Sequence, residues 1–324
     1  MGILVNLIEL LDDKLRLIEE ELKKSMPLGS KPHELYDAAR HLIKAGGKKF
    51  RPVLTLLACE AVGGNFRDAL PTAATIELLH TASLIHDDLI DGDVLRRQVR
   101  TVHSIWGEEV AITAGDLLIG KAVEIMALAT PPKVINLIAR ACVKMCEGEI
   151  LDIRFHKDMG KVTEDQYIEM VEKKSASLLS VATESGAIIG EGSKEAVSAL
   201  SKYGKMVGMA FQLRDDVLNI TSTEKELGKP VKTDMITNRP NLVVIYGARA
   251  HIGNPTLNEF INLGRTNIEK FVRILNDTGA IERVQSLSEK FSEKAKIEIG
   301  KIKLDRDMGK ILRLAADFAS QRVF

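Results

Sequence analysis

Several features are scarce or missing in this 324-residue chain, and each narrows the range of possible functions. Aromatic residues make up only 4%, and the net charge is zero because 45 Lys plus Arg balance 45 Asp plus Glu. A balanced chain lacks the basic excess that holds nucleic acid or an anionic membrane surface. No apolar run reaches the roughly 18 residues that a membrane span needs. We therefore expect no nucleic-acid partner and no membrane span. Any function that depends on charge should rest on a local cluster of charged residues.

Cysteine is also rare, since the chain contains only Cys59, Cys142 and Cys146. Three cysteines are too few for a small secreted scaffold that is held together by disulfides. Cys142 and Cys146 share a helix face at i, i+4, but a metal site there would need further ligands. Buried, reduced cysteines are the commoner outcome, so the sequence predicts a cytoplasmic protein.

The nine prolines are placed so that residues 72–130 and 133–229 contain none, and one proline pair separates these two stretches. Both stretches suit long helices. Apolar residues recur at helical spacing, as in Leu54, Leu57, Ala58 and Ala61, whereas sustained strand-like alternation is hard to find. No Ser/Gly-rich linker or internal repeat divides the chain. The sequence therefore predicts an all-α fold in which residues 1–324 form a single domain.

Charge is concentrated in "LIHDDLIDGDVLRRQVRTVH", residues 84–103. On a helix, Asp87, Asp88 and Asp91 point within one third of the circumference, and His80 lies close to that arc. Carboxylates about 4 Å apart repel each other by about 4 kcal/mol at an effective dielectric constant near 20. A bound cation is the simplest way to relieve this repulsion.

A similar arrangement occurs in "FQLRDDVLN", residues 211–219, where Gln212, Asp215, Asp216 and Asn219 share an arc of about 100°. Two such faces across a cleft would form an oxygen-lined cage. Oxygen ligands with paired carboxylates favour Mg²⁺, which commonly binds together with substrate phosphates. One isolated acidic cluster could equally be a solvated helix end, but two clusters of the same geometry favour a metal site.

Basic residues near these clusters suit the phosphate groups of a ligand, although each alone would more often be a solvated surface charge. Arginine binds phosphate through two parallel hydrogen bonds, lysine acts as a point charge, and a helix N-terminus adds N–H donors. The candidates are Lys48 and Arg51 in "GGKKFRP" (46–52), Arg96 and Arg97, Lys174 in "EKKSASL" (172–178), and Lys229, Asp234 and Arg239 in "LGKPVKTDMITNRPN" (227–241). The last segment is broken by Gly and Pro, as in a mobile lid.

Taken in order, seven motifs resemble those of the trans-isoprenyl diphosphate synthases, or polyprenyl synthetases, over residues 35–250 or so. They are "GGKKFRP", "LLHTASLIHDDLIDGDVLRRQVRTVH", "AGDLL", "CEGEILD", "KKSASL", "FQLRDDVLN" and "LGKPVKTD". The resemblance implies the isoprenoid synthase fold, a bundle of long, mostly antiparallel helices around a central catalytic cavity. It also implies a homodimer.

The family resemblance further implies a reaction in which isopentenyl diphosphate is condensed with an allylic diphosphate to give a longer all-trans prenyl diphosphate. Three Mg²⁺ ions would bridge the allylic diphosphate, and isopentenyl diphosphate would bind in a basic pocket. The implied catalytic residues are Asp87, Asp88, Asp91, Lys174 and Asp215. The metal ligands would come from these aspartates, with Asp216 and Asn219 as further candidates. The allylic diphosphate would contact Arg96, Lys174, Gln212, Lys229 and Arg239. Isopentenyl diphosphate would contact Lys48, Arg51, His80 and Arg97.

The chain departs from the family pattern at five positions. Asn219 replaces the last Asp of the second acidic motif, Glu149 the usual Gln, and Ser175 the usual Thr. Lys232 and Arg239 replace a Gly and a Lys. An amide oxygen is a neutral ligand, so Asn219 predicts weaker binding of one Mg²⁺ without loss of activity.

Product length is predicted from the residues that precede the first acidic motif. In the family, the side chain five positions before its first Asp often acts as a floor under the growing chain, and here that residue is Ala82, followed by Ser83. Leu79 lies one turn deeper, about 5 Å away, and Ile76 follows one turn beyond it. We therefore expect a tunnel past Ala82 and a product of C20 to C25 or longer. Alternatively, Ala82 and Leu79 are packing residues, and the floor lies around Leu118 and Ala122.

Two other functions remain open on the same resemblance. A terpene cyclase would use similar aspartates but would not need Lys48, Arg51, His80 and Arg97. A non-catalytic, partner-dependent subunit that sets product length would not need an intact first acidic motif. Elongation is therefore the leading interpretation.

Overall fold

Long proline-free stretches form long helices in the computed structural model, which describes residues 2–157, 161–222, 241–250 and 257–322. The prediction of an all-α fold is confirmed. The expectation that residues 1–324 form a single domain stays a prediction. The helices are α1 (Gly2–Ser25), α2 (His33–Lys44), α3 (Phe50–Ala61), α4 (Leu70–Asp91), α5 (Val102–Trp106), α6 (Glu108–Ala129), α7 (Pro132–Lys157), α8 (Glu164–Val171), α9 (Ser177–Ile189), α10 (Lys194–Thr221), α11 (Leu242–Ala250), α12 (Leu257–Thr266), α13 (Ile268–Asp277), α14 (Ala280–Gly300) and α15 (Arg306–Gln321).

Three irregular elements complete the described secondary structure. A 3₁₀ turn, Phe66–Ala69, precedes α4, and a π-helical turn, Glu172–Ala176, joins α8 to α9. A short antiparallel ribbon follows α4, with β1 (Leu95–Arg96) paired to β2 (Val99–Arg100). π-helical turns are rare and often lie at functional sites, and this one carries Lys174.

The apolar residues form two main clusters on either side of the acidic and basic motifs. The larger cluster joins α1 to α7 with parts of α9, α10, α14 and α15, and the second joins α8 and α10 to α11–α14. α10 contacts both clusters, because it packs along α9 on one side and α14 on the other. A rigid helix shared by two cores gives Asp215 and its neighbours fixed positions.

Left-handed backbone conformations shape the connections beside these motifs. α4 ends at Asp91 and is capped by Gly92 with φ 68°, and the following ribbon folds back so that Arg96 reaches Asp88. Arg97 and Gln98 occupy its turn with positive φ values of 52° and 65°. This turn brings Arg96 and Arg97 near the end of α4 that carries the carboxylates.

The three cysteines are unpaired by disulfides, as expected, but their burial differs. Cys59 is buried, Cys142 is half-buried and Cys146 is exposed, so the expectation of burial is wrong for Cys146. Within the described ranges, no three His, Cys, Asp or Glu side chains form a preassembled metal cluster. None of the helices in those ranges is both long and apolar enough to cross a bilayer.

Candidate active site

A cavity of about 560 Å³ lies where α3, α4, the ribbon, α7, the π-helical turn and α10 converge. It brings most of the predicted site residues together from four of the seven motifs. Those in its wall are Lys48, Arg51, His80, Ser83, Asp87, Asp91, Arg96, Arg97, Lys174, Gln212, Asp215, Asp216 and Asn219. Lys229, Lys232, Asp234 and Arg239 lie outside the described residues.

The first acidic motif divides into two kinds of carboxylate. Asp87 and Asp91 line the cavity, whereas Asp88 does not and has no exposed surface. One Asp88 oxygen accepts a hydrogen bond from the Arg96 guanidinium, and the other accepts none from the described part of the chain. Burial raises the pKa of Asp88 to about 6 against the opposing effect of Arg96. Asp88 therefore holds the ribbon arginine in the free protein, and its role as a metal ligand stays a prediction.

Lys174 is surrounded by carboxylates where α7 meets the π-helical turn. Its Nζ lies 2.5 Å from Glu149 Oε2 and 2.6 Å from Asp152 Oδ2. Gly148 allows this approach, since a Cβ there would lie 2.3 Å from the Lys174 backbone nitrogen. Burial raises the pKa of Asp87 and brings that of Glu149 to about 7, with Lys174 opposing both shifts. The single positive charge of Lys174 therefore does not fully offset the effect of burial on Asp87 and Glu149.

The second acidic motif also separates into exposed and buried members. Asp215, Gln212 and Asn219 face the cavity, and Gln212 Oε1 accepts a hydrogen bond from Ser175 Oγ at 2.8 Å. Asp216 is only 2% exposed.

Asp216 holds three helices together rather than presenting a free carboxylate. Its Oδ2 accepts from the Tyr167 hydroxyl at 2.5 Å and from the Leu242 backbone N–H at 3.2 Å. The Asn241 side-chain amide donates to its main-chain carbonyl at 3.1 Å. α8, α10 and the start of α11 therefore meet at this residue, and its predicted metal role stays a prediction.

The predicted basic pocket forms between α3, α4 and the ribbon. Arg51 Nη1 lies 3.0 Å from His80 Nε2, and because a guanidinium only donates, that nitrogen is the acceptor and the His80 proton lies on Nδ1. Burial, reinforced by Arg51 and Arg97, holds the pKa of His80 well below its usual value. Arg97 donates to the carbonyls of Leu42 and Gly46, which locks the glycine loop against the ribbon.

Sequence reasoning missed the buried acid of this basic pocket. Lys49 Nζ donates to Glu77 Oε1 at 3.0 Å, and both side chains are 2% exposed. Glu77 lines the cavity three residues before His80. The i, i+3 spacing of Glu77 and His80 could have indicated that both lie on one face of a helix. Nothing in the sequence showed which cations would reach Glu77.

Arg322 was also missed, because it comes from the far end of the chain. Its guanidinium contacts Asp215 and lies 3.6 Å from the centre of the Phe211 ring. Lys48 lies nearby, with its Nζ 5.2 Å from the Phe318 ring centre. Position 322 carries no motif, so only tertiary packing could place it in the cavity wall.

The residues predicted to set product length also differ in whether they reach the cavity. Ser83 lines the cavity, whereas Ala82 and Leu79 lie in the larger core cluster at 1% and 6% exposure. Leu118 and Ala122, the alternative floor, belong to that cluster too and are fully buried. Of these five residues, Ser83 alone lies in the cavity wall.

Comparison with known proteins identifies the group to which this arrangement belongs. The sequence profile of the polyprenyl synthetases matches residues 32–278. The chain belongs to the polyprenyl synthetase family. A geranylgeranyl diphosphate synthase from Methanosarcina mazei is 39% identical over 93% of this chain and 92% of its own.

Solved structures agree with this assignment. The geranylgeranyl pyrophosphate synthetase of Pyrococcus horikoshii matches with a TM-score of 0.90 and 35% identity, covering 98% of both chains. A polyprenyl synthase of Caulobacter crescentus, complexed with calcium and isoprenyl diphosphate, matches with a TM-score of 0.91 and 28% identity over 98% of both chains. This polyprenyl synthetase therefore has the isoprenoid synthase fold and is a trans-prenyltransferase.

The donors in the polyprenyl synthetase cavity suit a hard divalent cation. Asp87 and Asp91 on α4, and Asp215, Gln212 and Asn219 on α10, offer only oxygen ligands from carboxylates and amides. Burial raises the pKa of Asp87 although Lys174 and Arg96 oppose the shift, so further positive charge would stabilise its ionised form. A cation held with substrate phosphates would supply that charge, so these residues fit Mg²⁺.

Lys48 gives a prediction for the pH dependence of catalysis. Burial lowers the pKa of Lys48 to about 8, with Arg322 acting in the same direction and Asp215 against it. The ammonium form, which is the form able to bind a phosphate group, therefore predominates only below about pH 8. We expect kcat/KM for isopentenyl diphosphate, a parameter of the free enzyme, to fall as pH rises through 8.

The matched control is Lys48→Arg, because a guanidinium stays charged throughout this range. Its profile should remain level to about pH 9. An identical fall in both proteins would show that another group causes the pH dependence.

Proposed function

We propose that this prenyltransferase condenses isopentenyl diphosphate with an allylic diphosphate and gives an all-trans product of C20 to C25. The observation that carries the proposal is one cavity with an acidic, oxygen-lined side and a separate basic side. The acidic side contains Asp87, Asp91 and Asp215, and the basic side contains Arg51 and His80. Two such surfaces suit two diphosphate substrates held together.

On the acidic side, Asp87, Asp91, Asp215 and their amide neighbours would hold Mg²⁺, three ions if the family pattern is followed. Bound Mg²⁺ would neutralise charge that develops on the departing diphosphate. Lys174 and Arg96 stand beside these acids and would donate hydrogen bonds to the same leaving group. Lys229 and Arg239 are proposed partners as well.

On the basic side, the isopentenyl diphosphate would receive charge-assisted hydrogen bonds from Lys48, Arg51 and Arg97. The neutral His80 accepts from Arg51 through Nε2, which leaves Nδ1–H as a donor to a phosphate oxygen. Leu178, Met145 and Phe211 add apolar surface to the wall of the same cavity. There the isopentenyl double bond can attack the allylic carbon away from water, and the released diphosphate can take the proton.

The discriminating experiment is incubation with Mg²⁺, labelled isopentenyl diphosphate and one allylic starter at a time, from dimethylallyl to geranylgeranyl diphosphate. We expect incorporated label and C20 to C25 products by mass spectrometry. Cyclic hydrocarbons without incorporation would indicate a terpene cyclase. No product from any starter would indicate a partner-dependent subunit.

Asn219 supplies a prediction about metal affinity. Asn219 lines the cavity one turn after Asp215, and a carboxylate there would add charge to the same face of α10. We expect Asn219→Asp to lower the Mg²⁺ concentration for half-maximal activity about threefold to tenfold. Binding of Mn²⁺, followed by electron paramagnetic resonance, provides a second readout. An unchanged metal requirement would contradict the prediction.

We also propose a cytoplasmic homodimer. Apolar side chains are exposed along α6 and α7, at Ile112, Ile119, Val123, Val143 and Ile150. A stripe of this kind on two adjoining helices suits association with a second copy. Light scattering of the purified protein tests the mass, and Ile119→Lys with Val143→Lys should shift a dimer to monomer.

A further inference from the structure

A carboxylate stands in the wall of the basic pocket, where its charge opposes binding of the anion to which the pocket is assigned. Glu77 and Lys49 both line the cavity, and the Lys49 Nζ lies 3.0 Å from Glu77 Oε1. Both side chains are only 2% exposed, so water does little to screen either charge. An acid in this position weakens the attraction of the pocket for diphosphate.

The backbone of the glycine loop turns Lys49 toward this acid. Lys49 directly precedes α3 with a left-handed φ of 46°, which is an uncommon conformation for a residue other than glycine. The Lys48 Nζ lies instead over the Phe318 ring, 5.2 Å from its centre. Of the two neighbouring lysines, Glu77 therefore holds one in a buried ion pair, and the other stays available to a ligand.

Glu77 also acts on the two arginines of the pocket. Burial lowers the pKa of Arg51 to about 10 and also lowers that of Arg97, and Glu77 is the charged group that most strongly opposes both shifts. One carboxylate therefore offsets part of the charge of three cations, that of Lys49 through direct contact and those of the arginines through space.

Repeated elongation requires that the basic pocket release its diphosphate after every round. In the proposed reaction, the bond from the allylic C1 to its diphosphate breaks, C4 of isopentenyl diphosphate bonds to C1, and a proton passes from C2 of isopentenyl diphosphate to the released diphosphate. The longer product therefore carries the diphosphate that entered with isopentenyl diphosphate, and that group still lies in the basic pocket. It must move to the acidic side before it can depart in the next round.

We propose that Glu77 promotes release of each elongated product from the basic pocket, by holding Lys49 in an ion pair and by weakening the pull of the two pocket arginines on the product diphosphate. The inference rests on the proposed elongation reaction and adds to it a residue that governs transfer between rounds. Glu77 acts through the neighbouring cations, so it is a positioning residue and not a catalytic one.

Calorimetric titration with inorganic diphosphate in EDTA tests the pocket by itself, because the acidic side repels diphosphate when no divalent cation is present. Glu77→Gln should bind diphosphate about tenfold more tightly than wild type, and Lys49→Met, which leaves the acid unpaired, about tenfold more weakly. Combining the two changes removes the whole pair at constant net charge, so the Kd of that double variant should stay within about threefold of wild type. Each variant has its own expected direction, so failure of one to fold leaves the others decisive.

Rapid-quench kinetics with dimethylallyl diphosphate and labelled isopentenyl diphosphate tests release itself. In Glu77→Gln, the first addition should proceed within about twofold of the wild-type rate, after which an enzyme-bound product one isoprene unit longer than the starter should accumulate. The steady-state kcat and the KM for isopentenyl diphosphate should both fall about tenfold, whereas a purely structural role would raise that KM. Glu60→Gln is the matched control, because Glu60 pairs with Lys14 at 2.8 Å outside the cavity wall, and it should behave as wild type.

The release role is overturned by diphosphate binding in Glu77→Gln that equals or falls below that of wild type. Steady-state turnover of Glu77→Gln at the wild-type rate, with no bound intermediate, would overturn it as well. Absence of isopentenyl diphosphate incorporation by wild type with any starter, while the calorimetric series keeps its expected order, would contradict the elongation reaction. A failed calorimetric series in an active enzyme would contradict the release role alone.

Discussion

Replacement of Asp87 by asparagine is expected to lower kcat about 10²- to 10³-fold. Asp87 faces the cavity beside Lys174 and Asp91, and burial has already raised its pKa although Lys174 and Arg96 oppose the shift. An amide of the same size keeps the shape but removes the negative charge that would hold the metal. Steady-state kinetics with a saturating allylic starter measures the loss.

The KM for isopentenyl diphosphate should stay within about threefold in Asp87→Asn, because that substrate is assigned to the basic side of the cavity. Asp13→Asn is the matched control, since Asp13 lies on the exposed face of α1 and its side chain is 91% exposed. That variant should retain wild-type kinetics. A kcat within tenfold of wild type for Asp87→Asn would remove Asp87 from the catalytic residues.

Replacement of Glu77 by glutamine is expected to reduce the free energy of unfolding by about 3–5 kcal/mol. Glu77 accepts a hydrogen bond from the equally buried Lys49. Burial lowers the pKa of Arg51 to about 10 and also lowers that of Arg97, and Glu77 is the foremost group that opposes both shifts. Without this carboxylate, the buried Lys49 loses its ion-pair partner, and the half-buried Arg51 and Arg97 keep only the weaker influence of Asp215 and Asp88 respectively. Denaturant titration measures the change.

An anion in the basic pocket should partly replace the missing carboxylate. Inorganic diphosphate is therefore expected to raise the thermal midpoint of Glu77→Gln by more than it raises that of wild type. Glu124→Gln is the control, because Glu124 pairs with Lys121 at 2.7 Å on the surface, where such a pair contributes less than about 1 kcal/mol. Equal stability of Glu77→Gln and wild type would contradict the role of Glu77.

Sequence by itself determined the helical fold and the composition of the site. Proline spacing and 3.6-residue periodicity are local properties of the chain, so they predicted long helices such as α4 and α10 without knowledge of their neighbours. The spacing of Asp87 and Asp91 places both on one helix face, and the structure has both in the cavity wall. The motif order also sufficed to recognise the family, which the comparisons confirm.

Tertiary structure alone decided which members of each motif face the cavity. Asp88 follows Asp87 by one residue, and the 100° rotation between neighbours turned it away from the cavity toward Arg96, whereas Asp216 lies at the cavity wall with its carboxylate bound to Tyr167. Periodicity gives the angle between two side chains, but it does not say where the partner helices stand.

Contacts between distant parts of the chain decided the rest. Glu77 meets Lys49, and Arg322 meets Asp215, across 28 and 107 positions of sequence respectively. Ala82 packs in the larger core, while Ile76 packs with Leu178 and Met145 in a separate small cluster. These pairings depend on how the helices pack, because burial and charge compensation are properties of the assembled bundle and not of any one segment.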